Sequence, residues 1–383
     1  MEKLGFKFGL KIASQDWFWK YDLSYDKAIE KLKSMGVNFI IAQGSRFIPS
    51  ANTAIQSEIP KEIKYKLESY DDRIFRKKLE EVGIECFGAV RFGFAQESMD
   101  KYGNYAIDQY GKPAKKIDWY IGPCPTCDEY NEERVKLVEK AMKELNLDGF
   151  FLGFMRYPGF WEMWLPDTDG ELWSEYCFCP RCIEKFQQFS GIQVPEDKEM
   201  TKGQWIRRNV REQWTSFKCQ VIHDIIGNFR SRIHKYNPEA KIMLNTVPFD
   251  QPHYGNYGKS IFGQDPKLLA DVVDMFEVMG YHQILRQPYQ WISEAGKYFK
   301  KISGKVVVCT VQGKALYTEG IHKGKGRQKE ITPEEFKNAL YSIKNANVDG
   351  AIVFTWSDFL RAEYEENNKV LVNIVSKFTE SKE

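Results

Sequence analysis

The sequence has almost no net charge and no long apolar run, and these two absences exclude several classes of protein. Lys and Arg together number 55 and Asp and Glu 53, which gives a formal net charge of +2. Nucleic-acid-binding proteins usually have a basic excess or a basic face, so we expect no nucleic-acid partner. No segment has the ~18 consecutive apolar residues that span a bilayer, so we also expect no membrane partner.

The first residues lack the features of a secretory signal. The segment MEKLGFKFGLKIASQDW contains neither a long apolar stretch nor a small-residue cleavage site. We therefore predict a cytoplasmic protein, and in that compartment thiols stay reduced. Clustered cysteines in a reducing compartment favour a metal site over disulfides, which remain the alternative.

The chain also lacks internal repeats, low-complexity tracts and a glycine-rich phosphate loop after its first apolar segment. These absences favour one domain over residues 1–383 and argue against a doubly wound nucleotide-binding sheet. Hydrophobic residues make up 43% of the chain, which is sufficient for a large core.

Short apolar segments alternate with amphipathic segments along the chain. The amphipathic segments have apolar residues at helical spacing and predict helices, of which the longest covers Trp205–Tyr236. The apolar segments predict eight strands, namely Phe6–Ile12, Asn38–Ala42, Ile84–Val90, Gly149–Phe154, Lys241–Val247, Val272–Met279, Lys305–Val311 and Gly350–Phe354. Eight strands separated by helices are typical of a (β/α)8 barrel, the TIM barrel of the α/β class. In this fold the loops after the strands carry active sites, and here the loops after strands 3 and 4 are the longest.

Five of the eight cysteines occur in two clusters. Cys124 and Cys127 belong to the segment CPTC, and the segment CFCPRC contributes Cys177, Cys179 and Cys182. Two Cys-Pro-x-Cys knuckles predict a zinc site, because Zn²⁺ takes four thiolates at about 2.3 Å in a tetrahedron. Five cysteines compete for four positions, so the spacing alone leaves the ligand set open.

The cysteine pattern resembles that of a known enzyme family. A cysteine after strand 3, followed after strand 4 by Cys-x-Cys-x2-Cys and a helix, is similar to the structural zinc site of family 42 glycoside hydrolases, the bacterial β-galactosidases. The resemblance implies that Cys124, Cys177, Cys179 and Cys182 bind a structural Zn²⁺ and that Cys127 does not. It implies a carbohydrate substrate, and it leaves a homo-oligomer open. A catalytic zinc is disfavoured because four thiolates leave no position for water.

The segment around strand 4 resembles a wider set of glycoside-hydrolase-like barrels. Their strand 4 reads Asp-Gly-(apolar)-x-Leu-Asp-x-x-Arg-Tyr-Pro, which Asp148-Gly149 and Arg156-Tyr157-Pro158 match. This chain has Gly153 where that pattern has its second acid. The resemblance therefore implies either a glycoside hydrolase whose acids lie elsewhere, or a barrel of altered chemistry that binds carbohydrate without cleaving it.

Glycoside hydrolysis typically requires two carboxyl groups, one as an acid and one as a nucleophile or base. The candidates near the carboxyl ends of the predicted strands are Glu277, Glu162, Asp358 and Asp250. Period-two alternation places Glu277 on the same face of strand 6 as Met275. If that face points into the barrel, desolvation would raise the pKa of Glu277, which suits a general acid.

Polar and aromatic side chains near the same strand ends are candidates for binding a sugar. Arginine offers a planar donor fork for a hydroxyl or a carboxylate, and aromatic rings suit the faces of sugar rings. The predicted substrate-binding residues are Arg156, Tyr157, Trp161, Tyr281, His282, Trp356, Asn245 and Gln312, with Gln43 as a further polar candidate.

Overall fold

The eight predicted strands close into a parallel barrel. The structure is a computed structural model and describes residues 5–12, 14–42, 61, 64–93, 96–165, 169, 173–249 and 254–381. The strands are β1 (Lys7–Ile12), β2 (Phe39–Ala42), β3 (Glu85–Arg91), β4 (Gly149–Gly153), β5 (Lys241–Thr246), β6 (Met275–Val278), β7 (Val306–Gln312) and β8 (Gly350–Phe354). Each strand pairs in parallel with the next along the chain, and β8 pairs with β1. The (β/α)8 fold predicted from the sequence is confirmed.

Helices surround the barrel and connect its strands. In the described part of the chain the α-helices are Asp16–Trp19, Tyr25–Ser34, Lys64–Ser69, Asp72–Glu81, Gln96–Tyr102, Asp128–Leu145, Pro180–Ser190, Lys202–Asn209, Arg211–His234, Tyr257–Ser260, Pro266–Leu269, Gln290–Ser303, Pro333–Asn345, Trp356–Glu365 and Val370–Glu380. Short 3-10 helices cover Trp161–Met163 and Gly320–His322. None of the described helices combines the length and the apolar character that crossing a membrane requires.

The barrel interior has an apolar layer and, toward the carboxyl ends of the strands, a polar layer. Alternate side chains of each strand point inward. The apolar layer consists of Phe39, Ile41, Phe87, Ala89, Phe151, Met243, Met275, Val308 and Ile352. The polar layer consists of the buried residues Lys11, Asn245, Glu277 and Thr310. Met275 and Glu277 therefore share the inner face of β6, as their alternation predicted.

Two helical segments differ from the sequence prediction. The predicted helix Trp205–Tyr236 is two helices that meet at Val210, whose φ of −140° lies outside the helical region. A helix also covers Trp356–Glu365, where the sequence predicts a loop after β8. Thr355 is the N-cap of this helix, and its backbone N–H donates to Asp358 in a capping box.

Candidate active site

Glu162 lies in the turn that follows β4, and its carboxyl group is buried. The residue is 5% exposed, and among the described residues none donates a hydrogen bond to Oε2. Burial raises the pKa of Glu162 to about 7, and the nearby charges of Arg156 and Arg327 only partly oppose this effect. A carboxyl group with this pKa can hold a proton near neutral pH and give it up, which is what a general acid requires.

Arg156 lies beside Glu162, and its charge has no partner among the described residues. The side chain is 3% exposed, and Nε, Nη1 and Nη2 all lack a hydrogen-bond acceptor. The guanidinium carbon lies 4.9 Å from the ring centroid of Phe154 and 5.2 Å from that of Phe262. Burial lowers the pKa of Arg156, and the nearby Tyr120 and Glu162 oppose that effect. A buried cation whose donors are unused is costly, so this position suits a ligand.

Aromatic rings form a wall beside these two residues. Trp161 and Tyr281 stack with ring centroids 6.0 Å apart and an interplanar angle of 19°. Burial raises the pKa of Tyr281 well above its usual value, and the carboxylates of Glu277 and Glu162 raise it further. Tyr281 therefore lies near both predicted acids. Stacked amphipathic rings at such a position are suited to contact with a sugar ring.

Arg327 fixes the backbone that carries Glu162. Its Nη2 donates to the carbonyl oxygen of Glu162, and its Nε donates to the carbonyl oxygen of Ile284 at 2.7 Å. Its Nη1 donates to the carbonyl oxygen of Tyr317 at 3.3 Å. One side chain therefore joins the loops that follow β4, β6 and β7.

Asp118, in the loop after β3, is a further carboxylate, close to Tyr317, that no sequence pattern indicates. Its side chain is 43% exposed, and its Oδ2 lies 3.6 Å from Nε2 of His322. The adjacent Trp119 donates to the hydroxyl oxygen of Tyr317 at 3.1 Å. Burial raises the pKa of Tyr317, and the charges of Glu162 and Asp118 add to that effect. Both carboxyl groups therefore lie near the same phenol.

Glu277 is fully buried, and both of its carboxylate oxygens have partners. Lys11 Nζ donates to Oε1 at 2.8 Å, and the hydroxyl of Thr310 donates to the same oxygen. The amide of Asn245 donates to Oε2. The sequence predicts a desolvated acid at this position, whereas the structure pairs the carboxylate with Lys11 across the barrel. The sequence feature that could have indicated this pairing is Lys11, a lysine on the inner face of the apolar strand β1.

Asp358 and Trp356 belong to the start of the helix after β8. Asp358 Oδ2 accepts from the backbone N–H of Thr355 at 3.1 Å, and Oδ1 pairs with Lys314 at 2.7 Å. Trp356 is buried and packs against Trp17, with ring centroids 6.0 Å apart. These contacts give both side chains a structural role. The catalytic role of Asp358 and the substrate-binding role of Trp356 stay predictions.

Tyr157 lies beside the cysteine cluster rather than beside Glu162. Its side chain is fully buried, and its pKa is raised by burial first and then by the neighbouring thiols. Lys218 Nζ lies 5.5 Å from the centroid of its ring. This position suits a link between the loop after β4 and the helix Arg211–His234 better than contact with a sugar.

His282 and Gln312 have protein partners of their own. His282 Nε2 lies 2.9 Å from Oε1 of Glu335, and the amide of Gln312 donates to Gln283 at 3.2 Å. Nδ1 of His282 and Oε1 of Gln312 have no partner among the described residues, so each keeps one polar atom for a ligand. Gln43 and Asp250 lie outside the described residues.

Four cysteines from two distant segments come together in one buried cluster. The Sγ atoms of Cys124, Cys177, Cys179 and Cys182 all lie within 4.8 Å of one another. Cys124 Sγ is 3.6 Å from that of Cys179 and 3.4 Å from that of Cys182. A tetrahedral site with metal–sulfur bonds of about 2.3 Å requires sulfur–sulfur distances of about 3.8 Å, so the cluster could hold a metal with small shifts.

The structure also narrows the choice among the five clustered cysteines. Cys127 lies outside the cluster, with its Sγ 3.5 Å from Oε2 of Glu129. Within the cluster, the backbone N–H of Ile107 donates to Cys177 Sγ at 3.3 Å, and that of Cys182 donates to Cys179 Sγ at 3.5 Å. Such N–H donors stabilise thiolates, which are the form that binds a metal. All eight cysteines are free thiols in the structure.

Comparisons with known proteins find similarity in structure only. No protein-family profile matches the sequence, and no curated protein matches it either. The glycoside hydrolase domain of PgaB from Bordetella bronchiseptica has a TM-score of 0.64 and 12% identity, over 99% of this chain and 100% of that chain. A β-galactosidase from the haloarchaeon Halorubrum lacusprofundi has a TM-score of 0.66 and 9% identity, over 98% of this chain and 57% of that chain. The catalytic domain of a β-amylase from Paenibacillus polymyxa has a TM-score of 0.60 and 10% identity, over 98% of each chain. At these identities the similarity shows a shared barrel fold.

Proposed function

We propose that this chain is a glycoside hydrolase in which Glu162 is the general acid. The observation that carries the proposal is the buried carboxyl group of Glu162, with its free Oε2 and its pKa raised to about 7. The carboxyl group lies near the Arg156 cation and near Tyr281, whose ring stacks on that of Trp161. The barrel fold that the chain shares with glycoside hydrolases supports the same proposal.

A second carboxylate must act as nucleophile or base, and Asp118 suits the role of base. Its side chain is 43% exposed, so water can reach it, and it lies near Tyr317 together with Glu162. Glu277 and Asp358 are the alternatives that the sequence predicts. Both oxygens of each already accept hydrogen bonds or pair with a lysine, so we propose that these two residues position the site.

The proposed reaction is a single displacement. Glu162 gives its proton to the glycosidic oxygen as the carbon–oxygen bond breaks, and the leaving group departs as an alcohol. Asp118 accepts a proton from a water molecule whose oxygen forms the new bond to the anomeric carbon. Attack from the opposite face inverts the configuration of that carbon, which NMR of the first-formed product would reveal.

The proposal predicts that the Glu162→Gln variant loses most of its hydrolytic activity. We expect kcat for aryl glycosides with poor leaving groups to fall by about 100- to 10,000-fold, because a positioned proton donor contributes this much. Dinitrophenyl glycosides leave without protonation, so their hydrolysis should fall much less. An equal loss for both leaving groups would show that Glu162 is not the acid.

Asp118→Asn is the matched variant for the proposed base. It should slow both classes of substrate alike, since water must be activated in each case. Glu277→Gln and Asp358→Asn, measured on the same substrates, test the two alternative carboxylates.

A carbohydrate-binding barrel without hydrolytic activity is the second candidate, and Gly153 favours it. Gly153 ends β4, at the position where the resembling barrels have an acid, and it provides no carboxyl group. Under this alternative, wild-type protein would bind glycosides but release no sugar from any member of an aryl glycoside panel.

We also infer that the four-cysteine cluster binds a structural Zn²⁺. The donor set of four buried thiolates suits this ion and leaves no open position for water. The ion would tie Cys124, in the loop after β3, to the start of the helix Pro180–Ser190, which follows the long loop after β4.

A further inference from the structure

We propose that the sugar bound beside Glu162 carries a carboxylate, as a uronic acid does, and that Arg156 binds this carboxylate. This inference rests on the proposed glycosidase function and names its class of substrate.

The first argument is the unused donor edge of Arg156. The rings of Phe154 and Phe262 lie against the guanidinium group, whereas all three nitrogen atoms lack acceptors among the described residues. The guanidinium fork presents parallel N–H groups that match the two oxygens of a carboxylate. A neutral hydroxyl group would leave most of these donors unused and the buried charge uncompensated.

The second argument concerns Glu162, the acidic side chain beside Arg156. Glu162 and Arg156 form no side-chain hydrogen bond, because all three guanidinium nitrogen atoms of Arg156, like Oε2 of Glu162, lack a partner among the described residues. A general acid must also be protonated, and therefore neutral, when substrate binds. In that state Glu162 cannot balance the charge of Arg156, so the balancing anion has to come with the substrate.

The third argument is the charge of the loop after β7, which lies over the same site. Residues 313–332, which connect β7 to the next helix, contain five cationic residues and two acidic residues, Glu319 and Glu330, although the whole chain has a net charge of only +2. The cations are Lys314, Lys323, Lys325, Arg327 and Lys329. Lys325 Nζ donates to the carbonyl oxygen of Met163 at 3.4 Å, directly after Glu162 in the chain. A basic rim around a cleft attracts anionic ligands and speeds their association.

The number of buried cations with free donors favours a carboxylate on the substrate over a phosphate ester. Arg327 is also partly buried, but its guanidinium donates to the carbonyl oxygens of three loops. Within the described ranges, Arg156 is therefore the one buried arginine whose side-chain donors all lack acceptors, and one such cation matches a single negative charge. Substrate binding would also reinforce the chemistry, because a carboxylate near Glu162 disfavours a second negative charge and keeps the acid protonated.

Matched pairs of glycosides test the proposal. Nitrophenyl glucuronide and glucoside differ only in a carboxylate or a hydroxymethyl group, as do galacturonide and galactoside, and each pair is used in both anomers. Binding is followed by tryptophan fluorescence, since Trp161 lies beside the site, and cleavage by release of nitrophenol. In at least one pair we expect the uronide to bind at least tenfold more tightly than its neutral partner.

The Arg156→Gln variant should remove this preference, and Arg156→Lys should retain part of it through the charge alone. Arg73→Gln is the charge-matched control, because Arg73 is exposed and pairs with Asp71 on an outer helix. Thermal unfolding of each variant separates lost binding from lost folding. The wild-type comparison does not depend on any variant.

Equal binding within every pair, or a preference that persists in Arg156→Gln, would overturn the inference. A preference for the 6-sulfated glycoside over the uronide would also overturn it. Cleavage of neutral glycosides without preference would refute the acidic substrate and leave the hydrolase proposal intact. Tight binding of uronides without any cleavage would support the acidic ligand and refute the hydrolase proposal.

Discussion

Glu162 and Glu277 are both buried carboxyl groups, but they differ in the hydrogen-bond partners that surround them. Lys11, Thr310 and Asn245 all contact the carboxylate of Glu277, so both of its oxygens have partners. Glu162 is buried with one oxygen free, and its pKa is raised to about 7.

The raised pKa of Glu162 predicts that stability falls as pH rises. The pKa in the folded state exceeds the ordinary value of 4.5, so the folded chain holds this proton more tightly than the unfolded chain. The contribution of this proton to stability is complete below about pH 4.5 and is lost as the pH rises through about 7. Relative to Glu162→Gln, wild type should lose about 3 kcal/mol of unfolding free energy over this range.

Urea denaturation of both proteins at pH 4.5, 7 and 8.5 measures this difference. Activity should decline over the upper part of the same range, because the ionised acid cannot donate a proton. A constant difference between the two proteins would contradict the assignment.

At the scale of elements, the cysteine cluster and Arg327 connect loops that the strands alone would leave separate. Cys124 lies in the loop after β3, and the other three cysteines of the cluster lie where the loop after β4 enters the helix Pro180–Ser190. Arg327 joins the turn of Glu162 to the loops after β6 and β7. Ordering a long loop costs conformational entropy. Cross-links between such loops allow a barrel to hold the residues of a site in fixed positions.

The cluster predicts that purified protein contains about one zinc per chain and that Cys179→Ser loses it. Cys127→Ser is the control, because this buried thiol lies outside the cluster and should keep the full metal content. Elemental analysis by mass spectrometry gives the ratio for each variant. A stable wild-type protein without metal, grown with zinc present, would refute the site.

At the scale of the whole molecule, an ion pair crosses the inside of the barrel. Lys11 on β1 and Glu277 on β6 are 266 residues apart in sequence and are both almost fully buried. Thr310 and Asn245 complete the layer from the strands on either side of β6. The polar layer therefore links β1 to β6 and, through Glu277, to the neighbouring strands β5 and β7.

The ion pair predicts strong coupling between two substitutions. Lys11→Met alone should cost about 3–5 kcal/mol, because it leaves a buried carboxylate without its cation. The double variant Lys11→Met/Glu277→Leu should be more stable than the sum of the single effects implies.

Denaturant unfolding of the four proteins gives the coupling energy. The exposed pair Lys20–Glu365, whose atoms are 2.7 Å apart, is the matched control and should couple by less than about 1 kcal/mol. Strict additivity at Lys11 and Glu277 would contradict the prediction.

The barrel is largely predictable from the sequence, because each strand is a short apolar run and the helices between them are amphipathic. The errors have local causes. The strand prediction at Val272 starts early because the apolar run continues through the turn before Met275, where β6 begins. The helix after β8 is missed although Thr355 and Asp358 form its capping box, and this error makes Asp358 resemble a catalytic acid.

The site is predictable only where its residues are close in sequence. Cys177, Cys179 and Cys182 and the segment from Arg156 to Glu162 all follow β4 and can be identified by their spacing, and Cys124 has its own Cys-Pro-x-Cys segment after β3. Asp118 and Arg327 lie in loops without periodicity, and Arg327 meets Glu162 across 165 residues. Such a contact depends on the closed barrel, so no local pattern indicates it.

The way Arg327 holds the loops has a consequence for experiments that vary pH. Its contacts to the three loops are to backbone carbonyl groups, which do not titrate, and an arginine stays charged throughout the working range. Its one contact with a titratable group is with Nδ1 of His322, 3.3 Å from Nη1 and within the loop after β7. The clamp on the turn of Glu162 therefore keeps its shape in mildly acidic and mildly alkaline buffers alike. A pH–rate profile can then be interpreted as proton chemistry of the substrate-binding groups, without a change in the scaffold that carries them.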